Sequence, residues 1–428
     1  MISAEENEVL TRIGPGTRMG SLLRRYWQPV AGLSEMKDCW TLRVRMLGED
    51  LVLFKNRSGG FGLITEQCPH RAASLAYGIP TEEGIRCPYH GWAFDKTGAC
   101  VEQPNETGHN ALKGKVVTAA YPVQELGGLL FAYLGPDPAP LLPRFDGFVE
   151  PRAIRHLGKA VIDCNWLQIM ENSVDPVHTE WLHGKLYEFL NEDKGTKVAI
   201  SKHHVKIAFD EFEFGIVKRR LLEGQSEDAD DWTIGHPLVF PNILAGGSAG
   251  GLWTQKIFQI RVPVDDTHTW HFWYHAYIPP ADTPVPSHLL ENVPVYEPPV
   301  KDENGEFLLN YIHAQDIMAW TTQGAIADRT REKLGTSDMG LVAYRKMLMR
   351  ELEKIERGED PIGTLRDAAH NRIIDLPRER SKDMYSDGFV NHLRRQMSNF
   401  SPIADDLVDV FTKDRGKREE TKQKVPAE

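Results

Sequence analysis

The 428-residue chain has no run of eighteen or more apolar residues, so no helical membrane span is expected. Its opening, Met1-Ile2-Ser3-Ala4-Glu5-Glu6-Asn7-Glu8, lacks the apolar core of a secretory signal, and a cytoplasmic protein is the expectation. Basic charge is scarce: 50 Lys and Arg stand against 61 Asp and Glu, a formal net charge of −11. A nucleic-acid face needs concentrated Lys and Arg, so nucleic acid is not an expected partner. Only five cysteines occur, Cys39, Cys68, Cys87, Cys100 and Cys164, and an odd count of this kind does not describe a disulfide framework. No G-x-G-x-x-G string is present, so no dinucleotide site is expected on this chain. Internal repeats and low-complexity tracts are also missing.

What is present divides into two regions, with 41% hydrophobic residues to build their cores. Residues 1–27 read as a short helical segment broken at Gly14-Pro15-Gly16. From residue 28 to about 140 the text is β-rich, with short strands at Thr41–Met46, Leu51–Asn56, Phe61–Ile64, Ile85–Arg86, Gly91–Phe94 and Leu129–Leu134. Gly48-Glu49-Asp50 signals a hairpin. Pro136, Pro138, Pro140 and Pro143 then form a connector that cannot be regular structure. The second region, 141–412, opens with a helical stretch from Asn165 to about Leu190. Alternating segments at His204–Leu222, Trp253–Pro263 and Thr267–Ile278 read as antiparallel strands. Ala314–Arg331 and Gly340–Arg357 read as helices, the second with Glu351, Lys354 and Arg357 facing solvent. Residues 413–428 are charged and nearly without apolar side chains, the composition of a disordered tail.

Two of the cysteines have histidines beside them. Cys68-Pro69-His70 is followed, after sixteen residues, by Cys87-Pro88-Tyr89-His90. Two Cys and two His on facing loops allow a single structural zinc or a 2Fe–2S cluster with two Cys on one iron and two His on the other. A zinc pair normally keeps its ligands two to four residues apart, whereas the first pair here has one intervening residue. Cys68-Pro69-His70-Arg71 with Cys87-Pro88-Tyr89-His90-Gly91-Trp92 closely resembles the Rieske motif. Cys39, Cys100 and Cys164 fall outside it and read as small buried hydrophobes.

A second group of histidines follows at His178 and His183. They are five apart, so a regular helix would not stack them; a local widening of the helix would bring both imidazoles to one centre. Taken alone, the pair reads equally as partly buried helical histidines. The longer string Asn172-x-x-Asp175-x-x-His178-x4-His183 resembles the catalytic motif of the Rieske aromatic-ring oxygenases. Asn7-Glu8 through Met19-Gly20 and Ile326-Ala327-Asp328-Arg329-Thr330-x-Glu332-x-Leu334-Gly335 resemble the phthalate dioxygenase branch, and the likeness covers most of residues 1–355.

This resemblance implies an α+β protein: an all-β Rieske domain plus a helix-grip catalytic domain, an antiparallel sheet around helices. It implies that Cys68, His70, Cys87 and His90 hold the 2Fe–2S cluster, and that His178 and His183 hold a mononuclear Fe(II) with a distant carboxylate. Candidates for that carboxylate are Asp316, Asp328 and Asp338. Asp316, in Gln315-Asp316 before Trp320 and Gly324, resembles the third-ligand segment; Asp328 reads as one half of an ion pair and Asp338 as a helix N-cap. Asp175, with Asn172 beside it, is expected to bridge a cluster histidine and an iron histidine across a subunit boundary in a trimer or stacked hexamer, or else to cap a helix before Pro176.

The implied reaction uses O2 and electrons from a separate NAD(P)H-dependent flavin iron–sulfur reductase. Ring dihydroxylation of a phthalate-like aromatic acid is the first expectation; O-demethylation of a methoxy-aromatic or aryl-ether cleavage is the alternative. A protein that only transfers electrons is the rival class, and the length of the second region argues against it. Lys218-Arg219-Arg220 offers cations for a carboxylated substrate, although salt bridging is their default reading, and strand alternation puts Arg219 opposite the other two. His236, Trp253 and Trp273 are candidate pocket residues. Arg24-Arg25 reads as a solvated pair available for docking.

Overall fold

The computed structural model describes residues 1–106, 112, 115–248, 253–380 and 388–412; the segment 413–428 lies outside them. Helices Ala4–Thr11 and Arg18–Leu23 open the chain. Ser3 and Glu6 cap the first reciprocally, and Thr17 accepts from Gly20 N to cap the second. Three antiparallel sheets follow. One orders Trp27–Gly32, Leu129–Tyr133 and Val123–Leu126; a second orders Thr41–Met46, Glu49–Lys55, Phe61–Thr65 and Ala120–Tyr121. A third, of very short strands, orders Ile79–Pro80, Gly84–Arg86, Ala93–Asp95 and Cys100–Glu102.

The hairpin of the second sheet turns one residue earlier than the Gly48-Glu49-Asp50 reading. Met46 pairs with Glu49, leaving Leu47 and Gly48 at φ 48° and 76°. Two successive positive φ values make the tight turn whose twist suits a hairpin. Leucine disfavours that conformation, but Leu47 is fully buried, and its N–H donates to Pro263 O at 2.7 Å while Gly48 N–H donates to Val264 O at 2.9 Å. The hairpin tip is thereby tied into the second region. The largest buried core runs through both, joining Leu10, Leu23 and Leu47 to Phe258, Tyr274 and Tyr344.

The second region is built on an eight-stranded sheet in the order His204–Phe212, Gly215–Leu222, His236–Val239, Ile243–Ser248, Thr254–Pro263, Thr269–Ile278, Ile154–Ile162 and Val295–Tyr296. Only the last pair is parallel. Its inner face grips the helices Trp166–Val174 and Ile312–Thr321, giving the α+β helix-grip architecture. Asn165 starts the first of these by accepting from Leu167 N, while its amide donates to Thr11 O and Asp266 O.

Three readings need correction. The helix expected at Ala314–Arg331 spans Ile312–Thr321 and is closed by Gly324 at φ 93°. Gln168 fastens the chain beyond it, donating to Trp320 O and Gly324 O and accepting from Ala327 N. Glu351, placed on the solvent face, is buried: it accepts from Ile362 N at 2.8 Å and lies against Arg350 and Lys354. Cys39 is half-buried, its thiol against Glu35 O, whereas Cys100 and Cys164 are buried as expected. No helix among the described residues is long and apolar enough to cross a membrane.

Candidate functional site

The two cysteine–histidine loops are folded alike. In each, the residue four past the cysteine donates back to it: Ala72 N to Cys68 O at 2.8 Å, Gly91 N to Cys87 O at 3.1 Å. In each, the cysteine N–H donates five residues ahead, Cys68 to Ala73 O and Cys87 to Trp92 O. Both turns close on a positive φ, 56° at Ala72 and 76° at Gly91. The result is a pseudo-twofold pair. Cys68 and Cys87 point inward into a small core with Leu75, Ile85, Trp92 and Phe94. His70 and His90 lie outward and half-exposed, their rings 4.7 Å apart, with His70 stacked on Trp92 at 4.5 Å.

This donor set suits a cluster with a buried sulfur-ligated iron and an outer imidazole-ligated iron. Burial, with Cys87 alongside, pushes the Cys68 thiol up to about 11. A sulfur that resists ionising on its own becomes thiolate where a metal displaces the proton.

The second centre forms where the Trp166–Val174 helix ends. Asp175 precedes Pro176, which disfavours helical backbone there. Helix resumes at His178 and widens to a π-helical turn, with hydrogen bonds reaching five residues along the chain, over Trp181–Lys185. That widening brings His183 beside His178, with ring centroids 5.2 Å apart, as the five-residue spacing requires. Asp316 arrives from the Ile312–Thr321 helix, its Oδ1 at 3.2 Å from His183 Nε2 and 3.9 Å from His178 Nε2. The outer ring nitrogens are held elsewhere: His178 Nδ1 lies 3.3 Å from Asp175 Oδ2, and His183 Nδ1 lies 2.9 Å from Gln315 Oε1. Each carbonyl or carboxylate oxygen accepts an Nδ1–H, leaving both Nε2 lone pairs aimed at one point beside Asp316.

The electrostatics agree. Burial lowers His178 below its ordinary value; for His183 burial works the same way, but Asp316 and Gln315 outweigh it and the net direction is upward. Burial opposes ionisation of Asp316, and the two imidazoles more than offset it. Asp316 Oδ1 is buried without a hydrogen-bond donor. Two imidazoles and one carboxylate on one side of a centre make a facial set suited to Fe(II) with positions left open.

The other candidates are placed elsewhere. Asp328 is exposed and accepts from Thr330 N and Oγ1 instead of forming the expected ion pair on a helix. Asp338 stands at the start of Met339–Glu356, but its carboxylate accepts from Gly335 N. Asn172 is half-buried beside Asp175 and lines the same surface depression as Asp175, His178 and Trp181. Arg219 pairs with Asp210 and Arg220 with Asp231, the salt-bridging default. Lys218 is buried, donating to Ser173 O at 2.6 Å at the end of the helix before Asp175; burial brings it down to about 7. His236 contacts Glu379, and Trp253 packs on Phe389, so of the three pocket candidates only Trp273 stands by the centre, 6.0 Å from His313. A second His–carboxylate group, Asp231, His236 and Glu379, already has the Arg220 guanidinium on Asp231 at 2.8 Å. Arg24 bonds Glu49 and Leu47 O and is part of the hairpin anchor, not a solvated charge.

The Ile326–Gly335 string has a physical role here. Arg329 donates to both oxygens of Glu171, Arg345 bonds the same carboxylate, and Glu332 closes the group on Arg345. This buried network clamps the helix one turn before Asp175. Gln315 was not recognised as the partner of His183; its place beside Asp316 was the only signal.

Residues 26–122 match the family model described as the Rieske [2Fe-2S] domain, and residues 300–375 match one described as LigXa C-terminal domain like. The chain is 44% identical to the 5,5'-dehydrodivanillate O-demethylase oxygenase subunit of Sphingobium sp., over 88% of this chain and 87% of that protein. It is 33% identical to the phthalate 4,5-dioxygenase oxygenase subunit of Pseudomonas putida, over 90% and 94% respectively. Among solved structures, the terminal oxygenase of carbazole 1,9a-dioxygenase from Nocardioides aromaticivorans IC177 shares the fold, with a TM-score of 0.59 at 17% identity across 81% of this chain and 96% of that one. Two like-folded cysteine–histidine loops, a facial histidine–carboxylate group and these relatives together make the chain a member of the Rieske non-haem iron oxygenases, an oxygenase component with a 2Fe–2S cluster and a mononuclear iron.

Proposed function

We propose that this oxygenase component acts on a methoxylated or carboxylated aromatic compound, and that O-demethylation is the first activity to assay. The carrying observation is the facial group of His178, His183 and Asp316, with both Nε2 atoms free to face a metal. The greater identity to the O-demethylase subunit than to the phthalate dioxygenase subunit favours demethylation over ring dihydroxylation. In the first reaction an aryl methyl ether, O2, an electron pair and two protons give a phenol, formaldehyde and water. In the second the same inputs give a cis-diol.

In this reading Cys68 and Cys87 hold one cluster iron, His70 and His90 the other, and His178, His183 and Asp316 the mononuclear iron. The bound metals supply electron storage and O2 activation; the chain supplies their setting. Asp175 accepts from Val177 N and His178 N as a cap and also faces the His178 ring, so capping and orienting coexist. None of the described contacts joins the cluster loops to the His178–Asp316 group within one chain. That separation supports electron transfer between neighbouring copies in a trimer or stacked hexamer, with Asp175 at the boundary and Asn172 beside it. A domain division near residue 140, a separate NAD(P)H-dependent flavin iron–sulfur reductase and a cytoplasmic location complete the proposal.

The test is NADH-driven turnover with such a reductase, using veratrate, phthalate and their neutral esters, with products identified by mass and formaldehyde assayed. A fully metal-loaded protein that oxidises none of a broad aromatic panel would defeat the substrate reading. For the bridge, Asp175→Asn should retain both metal centres and normal cluster reduction, yet slow cluster reoxidation by O2 with substrate by ten-fold or more. A wild-type reoxidation rate would leave Asp175 as a cap only.

A further inference from the structure

The buried arginines of the described residues differ in what faces them. Arg329 and Arg345 meet Glu171, Arg345 also meets Glu332, and Arg378 meets Asp146. Arg155 meets no carboxylate but is enclosed by the carbonyls of Gly147, Phe148, Glu150 and Ala153. Arg261 has neither arrangement. It is 1% exposed, and its Nη atoms donate only to the backbone O and Oε1 of Gln259, each at 2.8 Å. Its Nε has no partner. A guanidinium carries five N–H donors and stays charged, so a buried one without a counter-charge is costly unless a ligand provides it.

The groups around it share this condition. Arg261 and His271 are direct cross-strand neighbours on the inner face of the large sheet. Neither ring nitrogen of His271 has a hydrogen-bond partner; nor do His313 Nδ1, Trp273 Nε1 and Trp320 Nε1, all on buried side chains. His271 stacks against Trp273 at 3.9 Å and Trp320 at 5.6 Å. His313 and Trp320 stand three residues before and four after Asp316, on the same face of that helix. Buried polar groups in native proteins are almost always paired, so a concentration of orphans marks a surface that receives something polar. Asp316 is the carboxylate whose charge reaches Arg261, and a metal on Asp316 would claim that charge.

We propose that Arg261 receives an anionic oxygen of the substrate, a carboxylate or phenolate, with His271 and His313 as neighbouring donors and Trp273 and Trp320 flanking the ring. This deepens the aromatic-substrate reading and rests on it. A charge-assisted pair fixes the anionic end of the molecule at Arg261 and so sets which carbon lies nearest the metal centre.

The experiment titrates the holoprotein by calorimetry with veratrate, phthalate, guaiacol and methyl veratrate, and compares Arg261→Met and Arg261→Lys. Wild type should bind at least one anionic probe ten-fold or more tightly than methyl veratrate. Arg261→Met should lose ten- to hundred-fold affinity for that probe and leave the ester within about two-fold, with Arg261→Lys between. Selective loss for veratrate and phthalate identifies a carboxylate; binding of guaiacol that rises as its phenol ionises, and that Arg261→Met abolishes, identifies a phenolate. Equal loss for charged and neutral probes, or tighter binding of the ester by wild type, overturns the proposal. Turnover of neutral methoxy-aromatics as efficiently as acids would remove the role of Arg261 while leaving the oxygenase reading intact.

Discussion

The two proposed metal-binding regions are assembled in opposite ways. The cluster loops are local: each turn is closed by bonds within six residues, and the two are near copies of one another. The proposed mononuclear centre is collected from a distance, with two imidazoles from a widened helix and a carboxylate from another helix more than 130 residues away. Its orientation depends on Asp175 and Gln315, and its footing on the Glu171 network. A local site should therefore fail abruptly when one ligand is lost, whereas a collected site should degrade in steps as its supports are removed.

The largest effect expected is at the cluster. Cys68→Ser or Cys87→Ser should abolish the visible iron–sulfur absorption and the reduced-state EPR signal, and should destabilise the surrounding strands, because metal binding is also folding energy. A normal EPR signal in either variant would break the contrast at its first step. The mononuclear site should respond in grades. Asp316→Ala should lose about one iron per chain and all oxygenation while keeping the cluster spectrum. Gln315→Leu, which frees the His183 ring and removes the Gln315 Nε2 donation to Leu309 O, should weaken iron binding by about 10–100-fold. Asp328→Ala should change neither iron nor turnover. Iron content and activity, measured side by side, check all three, and a silent Gln315→Leu would show that His183 needs no orienting partner.

Among the groups that hold the mononuclear site, the smallest effect on chemistry, though not on stability, is expected from the support network. Glu171→Gln leaves Arg329 buried against a neutral group, with Arg345 keeping only Glu332, and should cost about 3 kcal/mol in urea unfolding. The cluster spectrum should be unchanged and oxygenation should persist at reduced rate. An unfolding midpoint equal to wild type would mean the network is not what anchors the helix bearing Asp175.

This difference in assembly also explains what was legible in the sequence. Cys68, His70, Cys87 and His90 stand out as cluster candidates because the spacing within each Cys–His pair is a property of one loop. The five-residue step from His178 to His183 foretells a widened helix, which the structure has. Asp316 stood ahead of Asp328 and Asp338 only through its resemblance to the third-ligand segment, and the three-dimensional packing brings it, and not the other two, beside His183. Gln315 and Arg261 escaped notice for the same reason: a polar residue on a strand or helix does not announce what it faces. The long helix reading past Thr321 failed because Gln168, from another helix, holds the next segment in extended turns. Glu351 failed because helical periodicity puts it among charged neighbours, while the Ile362 amide folds over it. The strands His236–Val239 and Ile243–Ser248 are short, and the second carries Gly246-Gly247, so neither shows the alternation of a longer strand.

The Leu47–Gly48 hairpin tip has a consequence for anyone building chimaeras from these enzymes. Its two amides are bonded to Pro263 and Val264, at the end of the strand that carries Arg261. An electron-carrying module exchanged at the proline connector near residue 140 would bring a foreign tip to that seam. Unless the incoming loop also offers two inward amides and a buried side chain at the position of Leu47, the graft leaves the Pro263 and Val264 carbonyls without donors. The recipient's strand would then be loosened within a few residues of its own substrate-facing wall. The portable unit is therefore larger than the cluster-binding segment and includes the seam on both sides.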